Sequence, residues 1–371
     1  MTDLSVDNLK CPTNRRSFMK KSLIAGTALA GAGLIASKPA SAQQTMPPTQ
    51  GDIAILRFLA AAELIESDLW VQYAELGGLT PGQEPVETAP FTPMNSYQAA
   101  FMNLDPDGPQ YITSNTLDEL SHANFLNAYL QSIGAAPVDL DAFRTLPSSQ
   151  ADGARKNRLR LTNLMNLTVD TSWYTRYRSS ENPDFGATFP QAIKLANVPA
   201  IPRTNSDFGL SNIQAIANIA AFHFGFIEQG GSSLYATLSQ KVSSPEVLKI
   251  TLSIGGDEIA HFLEWVDFSG NSVQPPLAPL PAANGLPEFP NFDATVNPAL
   301  QTNLIFPVPC EFISPNLPMC AVIRPTSAGQ INAVAAANAF IADGLFIGQT
   351  PDFLDLLLTL AEQADAAQRS I

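Results

Sequence analysis

Apolar positions recur every three or four residues through four long stretches of the chain, the period of a helix that buries one face. In the first, from about Asp52 to Leu76, the residues Leu56, Leu59, Glu63, Glu66, Trp70 and Tyr73 step along one face, apolar except for its two glutamates. The second is expected to start near Ser114, a capping residue type, and to end at Gly134, with Glu119, His122, Leu126, Tyr129 and Ile133 on its stripe. The third runs from about Ser211 to Ser239 and turns Ile213, Ala217, Phe224, Ile227, Glu228, Gly231 and Tyr235 inward. The fourth follows Pro245, ends at Gly270, and carries Ile254, Glu258, His261, Phe262 and Trp265 on one stripe. Gly225, Gly230, Gly231, Gly255 and Gly256 make the last two poor helices by propensity, so packing must hold them. The pattern predicts an all-α fold with a four-helix bundle over residues 51–270.

The connections are less regular. About 75 residues, roughly 136–210, separate the second and third helices, far more than an ordinary helix–helix loop. Within them Arg155 to Arg178 is a candidate helix and holds Arg155, Lys156, Arg158, Arg160, Arg176 and Arg178. A solvated or salt-bridging surface is the preferred reading of that basic cluster. From Pro275 to Pro325 there are 12 prolines in 51 residues, a density that no regular helix or central strand survives. An extended arm over 271–325 is expected, anchored by Leu280, Phe289, Phe292, Ile305 and Phe306. Beyond it, in 326–371, the apolar spacing predicts a helical pair, Ser327–Phe346 and Asp352–Ala367.

Composition narrows the function classes. The 371 residues carry a formal charge of −14, which argues against nucleic acid as a partner. Asn14-Arg15-Arg16-Ser17-Phe18-Met19-Lys20 precedes a short apolar run, Leu23 to Ile35, and then Ala40-Ser41-Ala42, the order of regions in a secretory signal. The paired arginines resemble the twin-arginine export signal, so residues 1–42 are expected to be cleaved after export to the periplasm or beyond. That segment takes six basic and two acidic residues with it, leaving 14 and 32 and a net charge of −18. It also removes Cys11. In an oxidising compartment Cys310 and Cys320 can close a small disulfide loop, with two buried free thiols as the alternative. No integral membrane segment is expected in the cleaved chain.

The candidate chemistry lies on the four stripes. Glu119-Leu120-Ser121-His122 and Glu258-Ile259-Ala260-His261 both read Glu-x-x-His, and a spacing of three puts carboxylate and imidazole on the same helical face. Glu63 and Glu228 add one carboxylate on each of the other two helices. Burying such groups is costly unless they are paired or bound to a cation. A four-helix bundle can gather four carboxylates and two imidazoles around two divalent metals, a ligand set suited to iron or manganese. Glu66 shares the face of Glu63 and could substitute for it. Tyr235 follows Glu228 by seven residues as Trp70 follows Glu63, and that internal match favours Glu63. His223 lies about 140° around the helix from Glu228 and is read as a core or interface histidine. Asp257 is a candidate for orienting an imidazole.

In this set, and in the surrounding segments Ala62–Glu66, Glu119–Leu126, Ile227–Tyr235 and Asp257–His261, the chain resembles the ferritin-like superfamily of di-iron and di-manganese carboxylate proteins. More closely, it resembles the exported ferritin-like domain proteins sometimes described as desiccation-related. The resemblance implies that Glu63, Glu119, His122, Glu228, Glu258 and His261 are metal ligands, with Glu119 and Glu258 bridging. It further implies redox activity toward ferrous iron, dioxygen or peroxide, without separating ferroxidase, peroxidase and manganese-catalase-like reactions. A non-catalytic envelope protein of stress or desiccation, with a structural or lost metal site, is the alternative. Expected partners are the twin-arginine export machinery and a small oxygen species or ferrous iron, and a homodimer is compatible with the sequence.

Overall fold

The structure, a computed structural model, describes residues 46–79, 93–178, 189–295 and 331–370, together with 307–308, 313–314 and 316–321. All of them belong to one compact unit of the chain. The expected signal segment 1–42, Cys310, Ile305 and Phe306 lie outside the described residues, and so does the Cys310–Cys320 bridge. Cys320 itself is an exposed free thiol.

The described fold is mainly helical. Helix α1 spans Gln50–Gly77, α2 Ser96–Leu104, α3 Gly108–Ser132, α4 Ser172–Arg178, α5 Leu210–Ser239, α6 Pro245–Gly270, α7 Ala333–Ala342 and α8 Pro351–Asp365. Two antiparallel two-stranded pieces accompany them: β1 Leu167–Val169 with β2 Leu195–Val198, and β3 Pro307–Val308 with β4 Cys320–Ala321. None of the described helices is long and apolar enough to cross a membrane.

Helix α1 starts in a capping box: the Thr49 hydroxyl accepts from Asp52 N, and the Asp52 carboxylate accepts from Thr49 N. The same buried carboxylate accepts from the backbone of Ser243 and Ser244 and so ties the turn between α5 and α6 to the start of α1. Ser244 also caps α6 through Glu246 N. Helix α3 begins six residues before the expected Ser114, because Pro109 sits in its first turn, where a missing N–H costs nothing. It ends before Gly134, whose φ of +75° suits glycine.

Cross-helix bonds fix the directions. Ser67 Oγ donates to Glu119 O and Thr116 Oγ1 to Trp70 O, so α1 and α3 run antiparallel. Ser239 meets Thr251 and Ser269 meets Ala221, so α5 and α6 do too. Tyr73 meets His223 and Trp265 meets Asn115, which sets α1 against α5 and α3 against α6 in the same sense. Hence α1 and α6 point one way, α3 and α5 the other. The core between them is filled by Trp70, Phe224, Trp265 and Phe268, with Trp70 stacked on both Phe224 and Trp265.

The structure corrects two local expectations. The candidate helix over 155–178 is helical only at 172–178; before that the chain is irregular apart from β1. Short polar side chains there bind nearby backbone instead, Asn163 Oδ1 accepting from Met165 N and Asp170 Oδ1 from Ser172 N. Helix α2 went unforeseen, although Asn95 accepts from Gln98 N in an ordinary N-cap. The basic cluster is partly internal: buried Arg160 donates to Glu75, and Arg155 lies 3.6 Å from the same carboxylate. Asp68 holds the insertion to α1 by accepting from Arg144, from the backbone of Leu161 and Thr162, and from the Thr162 hydroxyl.

The described part of the proline-rich arm is anchored by Phe289, which is fully buried against Phe222, and by Phe292 against Tyr174. The first helix of the C-terminal pair is shorter than expected at both ends, starting at Ala333 and stopping at Ala342, and 322–330 lie outside the described residues. Asp365 of α8 accepts from Ala333 N and Val334 N and so caps α7.

Candidate metal centre

Each of α1, α3, α5 and α6 turns its carboxylate stripe into the same enclosed space. Glu63, Glu119, Glu228, Glu258, His122 and His261 are all buried. Their donor atoms fall into two groups, each within 4.8 Å: Glu63, Glu119, His122 and Glu258 in one, Glu119, Glu228 and His261 in the other. Glu119 is common to both; Glu258 belongs to the His122 group. Glu66 is buried nearby but joins neither group among the described residues.

Both imidazoles face inward by the same nitrogen. His122 Nδ1 lies 3.5 Å from Glu63, 3.4 Å from Glu119 and 3.4 Å from Glu258. His261 Nδ1 lies 3.1 Å from Glu119 and 3.4 Å from Glu228. Their outer nitrogens meet aspartates: His122 Nε2 is 3.3 Å from Asp257, and His261 Nε2 is 3.5 Å from Asp118 and 3.7 Å from Asp257. Asp118 was missed in the sequence, yet both motifs read Asp-Glu-x-x-His, and that repeat was the available signal. The service is crosswise, since the Asp of each motif faces the His of the other.

The outer glutamates are held the same way. Trp70 Nε1 on α1 donates to Glu228 Oε1 on α5 at 3.0 Å, and Tyr235 OH on α5 donates to Glu63 Oε1 on α1. The seven-residue spacing seen in the sequence therefore places each ring on the opposite helix's carboxylate. In both glutamates the second oxygen, Oε2, is buried with no hydrogen-bond partner among the described residues. The same is true of Glu119 Oε1, both carboxylate oxygens of Glu258 and both ring nitrogens of His261.

The electrostatics follow from burial. Desolvation, then the charges of Glu63 and Glu228, push the Glu119 carboxyl up to about 7, against the two imidazoles. Desolvation and Glu119 push Glu258 well above the carboxylate range, and desolvation with four neighbouring carboxylates does the same to Glu66. Burial opposes charge on His122, but Asp257, Glu119, Glu258 and Glu63 override it and hold the imidazolium far above its usual range. Burial likewise opposes charge on His261, and Glu228, Asp118 and Glu119 override it.

The donor set fits a metal. Orphaned buried carboxylate oxygens each cost about 1–3 kcal/mol or more, and a multivalent cation satisfies several at once. Backbone shape agrees: a Cβ at Gly231 would overlap Glu258 Oε2 and stand 3.0 Å from its Cδ, so only glycine leaves that carboxylate its place. These buried Glu and His groups can hold a metal ion. His223 lies apart, its Nδ1 2.7 Å from Tyr73 OH and its Nε2 3.1 Å from Asp343, both partners buried. No family model, curated protein or solved structure matches the chain.

Proposed function

We propose that the chain is an exported ferritin-like four-helix-bundle protein whose six inward residues bind a dinuclear iron or manganese centre. On this reading it acts on ferrous iron, dioxygen or peroxide. The observation that carries it is the pair of donor groups sharing Glu119, with their facing oxygens unsatisfied. The up–down–down–up order of α1, α3, α5 and α6, with its long connection between the second and third, supports the ferritin-like part. The Arg15-Arg16 segment and the small-residue site at Ala40-Ser41-Ala42 support the twin-arginine route.

Glu63, His122 and Glu258 would hold one ion and Glu228 with His261 the other, Glu119 being placed to serve both. Bound there, such a pair supplies two one-electron steps and a Lewis-acidic site for a small oxygen species. The chain's own residues prepare that site. Asp257 and Asp118 face the outer imidazole nitrogens, which fixes the Nδ1 lone pairs inward. Trp70 and Tyr235 occupy one oxygen of each outer glutamate and leave the other for the centre. Trp70, Phe224 and Trp265 close one side against water.

The test is metal analysis of natively exported protein, followed by ferrous-oxidation and peroxide-turnover assays. About two irons or manganeses per chain, lost in Glu119→Ala and His261→Ala, is the expected result. A metal-free exported protein that also fails to take up either ion in vitro sinks the reading. Two bound ions without turnover would assign the structural alternative.

A further inference from the structure

Tyr73, His223 and Asp343 form a chain of three titratable side chains that the centre does not use, all of them buried. Burying such groups is expensive unless they serve one another or a reaction. Their order is specific. Trp70, whose indole N–H is on Glu228 at 3.0 Å, meets Tyr73 edge-on with ring centroids 5.9 Å apart. Tyr73 OH is hydrogen-bonded to His223 Nδ1 at 2.7 Å, and His223 Nε2 lies 3.1 Å from Asp343 Oδ2. Asp343 in turn lines a surface cavity of about 430 Å³ together with Asp170, Gln191 and Lys194.

We infer that Trp70, Tyr73, His223 and Asp343 form a proton-coupled electron route between the carboxylate centre and that cavity, with Tyr73 as its redox residue. The inference rests on the dinuclear reading above.

A phenol gives up an electron readily only if its proton leaves too, because the oxidised phenol is a very strong acid. The base must therefore already be in hydrogen-bond contact, and His223 Nδ1 is. The proton moves within the chain, and the electron goes to an outside oxidant. Peroxide takes two electrons and two solvent protons as its O–O bond breaks to give two waters: one electron would come from Tyr73 through the Trp70 indole, the other from a reduced ion held by the six ligands. The O–H bond of Tyr73 breaks, its proton joins His223 Nδ1, and Asp343 faces the resulting imidazolium at Nε2. Desolvation, then Tyr97 and Asp343, push the Tyr73 phenol well above its ordinary range, so the proton does not leave alone. Tyr235, the other buried phenol near the centre, differs in kind. Its hydroxyl donates to Glu63, whose second oxygen faces the centre, so passing that proton on would alter the ligand set rather than a separate base.

Two experiments test this. In protein whose metal content has been counted, peroxide is added and the sample is freeze-quenched for electron paramagnetic resonance with ring-deuterated tyrosine. The expected tyrosyl signal narrows on deuteration, disappears in Tyr73→Phe and persists in Tyr235→Phe. His223→Gln keeps an acceptor for the phenol but no base, and should lower the yield of the radical at least about tenfold, by loss of general-base assistance to its formation. Circular dichroism confirms that each variant is folded. In metal-free protein, an ultraviolet flash makes indole radicals, and a tyrosyl signal should grow as they decay, again only when Tyr73 is present. A tyrosyl signal that survives Tyr73→Phe, or a yield unchanged in His223→Gln, overturns the inference. So does metal-replete wild type without any tyrosyl radical. Absence of bound metal would sink the dinuclear reading alone, and the flash experiment would still decide the route.

Discussion

Glu119→Gln should have opposite effects on stability with and without metal. Glu119 is fully buried, and its carboxyl is pushed from an ordinary 4.5 up to about 7, chiefly by desolvation and then by Glu63 and Glu228. A carboxyl whose folded value lies above its unfolded value destabilises the fold once both forms are ionised. The penalty is absent below pH 4.5, grows as pH rises through 7, and is complete above it. At pH 8 that displacement corresponds to about 3 kcal/mol. The amide keeps the shape and removes the charge. With a urea slope of about 3 kcal/mol per molar for a chain of this size, the midpoint of chelator-treated Glu119→Gln should rise by about 1 M. At pH 4 the two proteins should unfold together. With saturating Mn(II) or Fe(II) the order reverses. Wild type gains about 4.1 kcal/mol at a thousandfold excess over Kd, more than the penalty it carries, whereas the variant lacks the donor common to both groups. The assay is urea unfolding followed by circular dichroism at the two pH values, with chelator and with metal. If Glu119→Gln is less stable than wild type even in chelator, the carboxylate cluster is held by protein partners, and the case for a cation fails.

The other predictions probe the parts around that carboxylate. Gly231→Ala should gain about 1 kcal/mol of helix propensity but displace Glu258, lowering metal affinity about a hundredfold; calorimetric titration that shows unchanged affinity would refute the role given to that glycine. The double variant Asp118→Asn with Asp257→Asn should stay folded and weaken metal binding about 10–100-fold, because the imidazoles lose their outer partners. Asp68→Ala should cost about 3 kcal/mol in thermal or urea unfolding, since Arg144 and two backbone amides lose a buried acceptor. Limited proteolysis should then cut first within 136–178, the segment that Asp68 holds down.

Much of this was legible in the chain itself. The four long helices follow from apolar periodicity, and the ends at Ser239 and Gly270 coincide with those expected. Glu119, His122, Glu258 and His261 follow from i, i+3 spacing, which is local and survives any detail of packing, and Glu63 and Glu228 from their places on otherwise apolar stripes. What escaped depends on tertiary register. Asp118 and Asp257 face each other's histidines across α3 and α6, and no spacing within one helix reports that. Glu66 and Glu63 share one stripe; the seven-residue match with Trp70 and Tyr235 favours Glu63, and in the structure Glu63 joins a donor group while Glu66 does not. The insertion misled for another reason. Its Asn, Asp and Thr side chains bond to nearby backbone, so residues that look compatible with a helix build turns instead.

The crosswise pattern has a consequence for how the fold holds its site. Helices α1 and α3 form one antiparallel pair, α5 and α6 the other, and each pair supplies one Glu and one Glu-x-x-His. Yet the shortest supporting contact of each outer glutamate and each imidazole runs between the pairs: Trp70 to Glu228, Tyr235 to Glu63, Asp257 to His122 and Asp118 to His261. Neither pair alone supplies the full support of its own donors. Formation of the centre is therefore coupled to docking of the two pairs, and a cation that bridges them adds its binding free energy to that docking. The glycines that weaken α5 and α6 belong to the same logic. A Cβ at Gly231 would meet Glu258 and one at Gly255 would stand 2.7 Å from the Tyr235 Cβ, so propensity is sacrificed where α5 and α6 must approach closely around the donors. The long connection between the pairs costs comparatively little, because closure entropy rises only with the logarithm of loop length. Insertion 136–210 can thus be long and irregular, provided that anchors such as Asp68 and Glu75 fasten it to α1 and leave the pairs free to dock on each other.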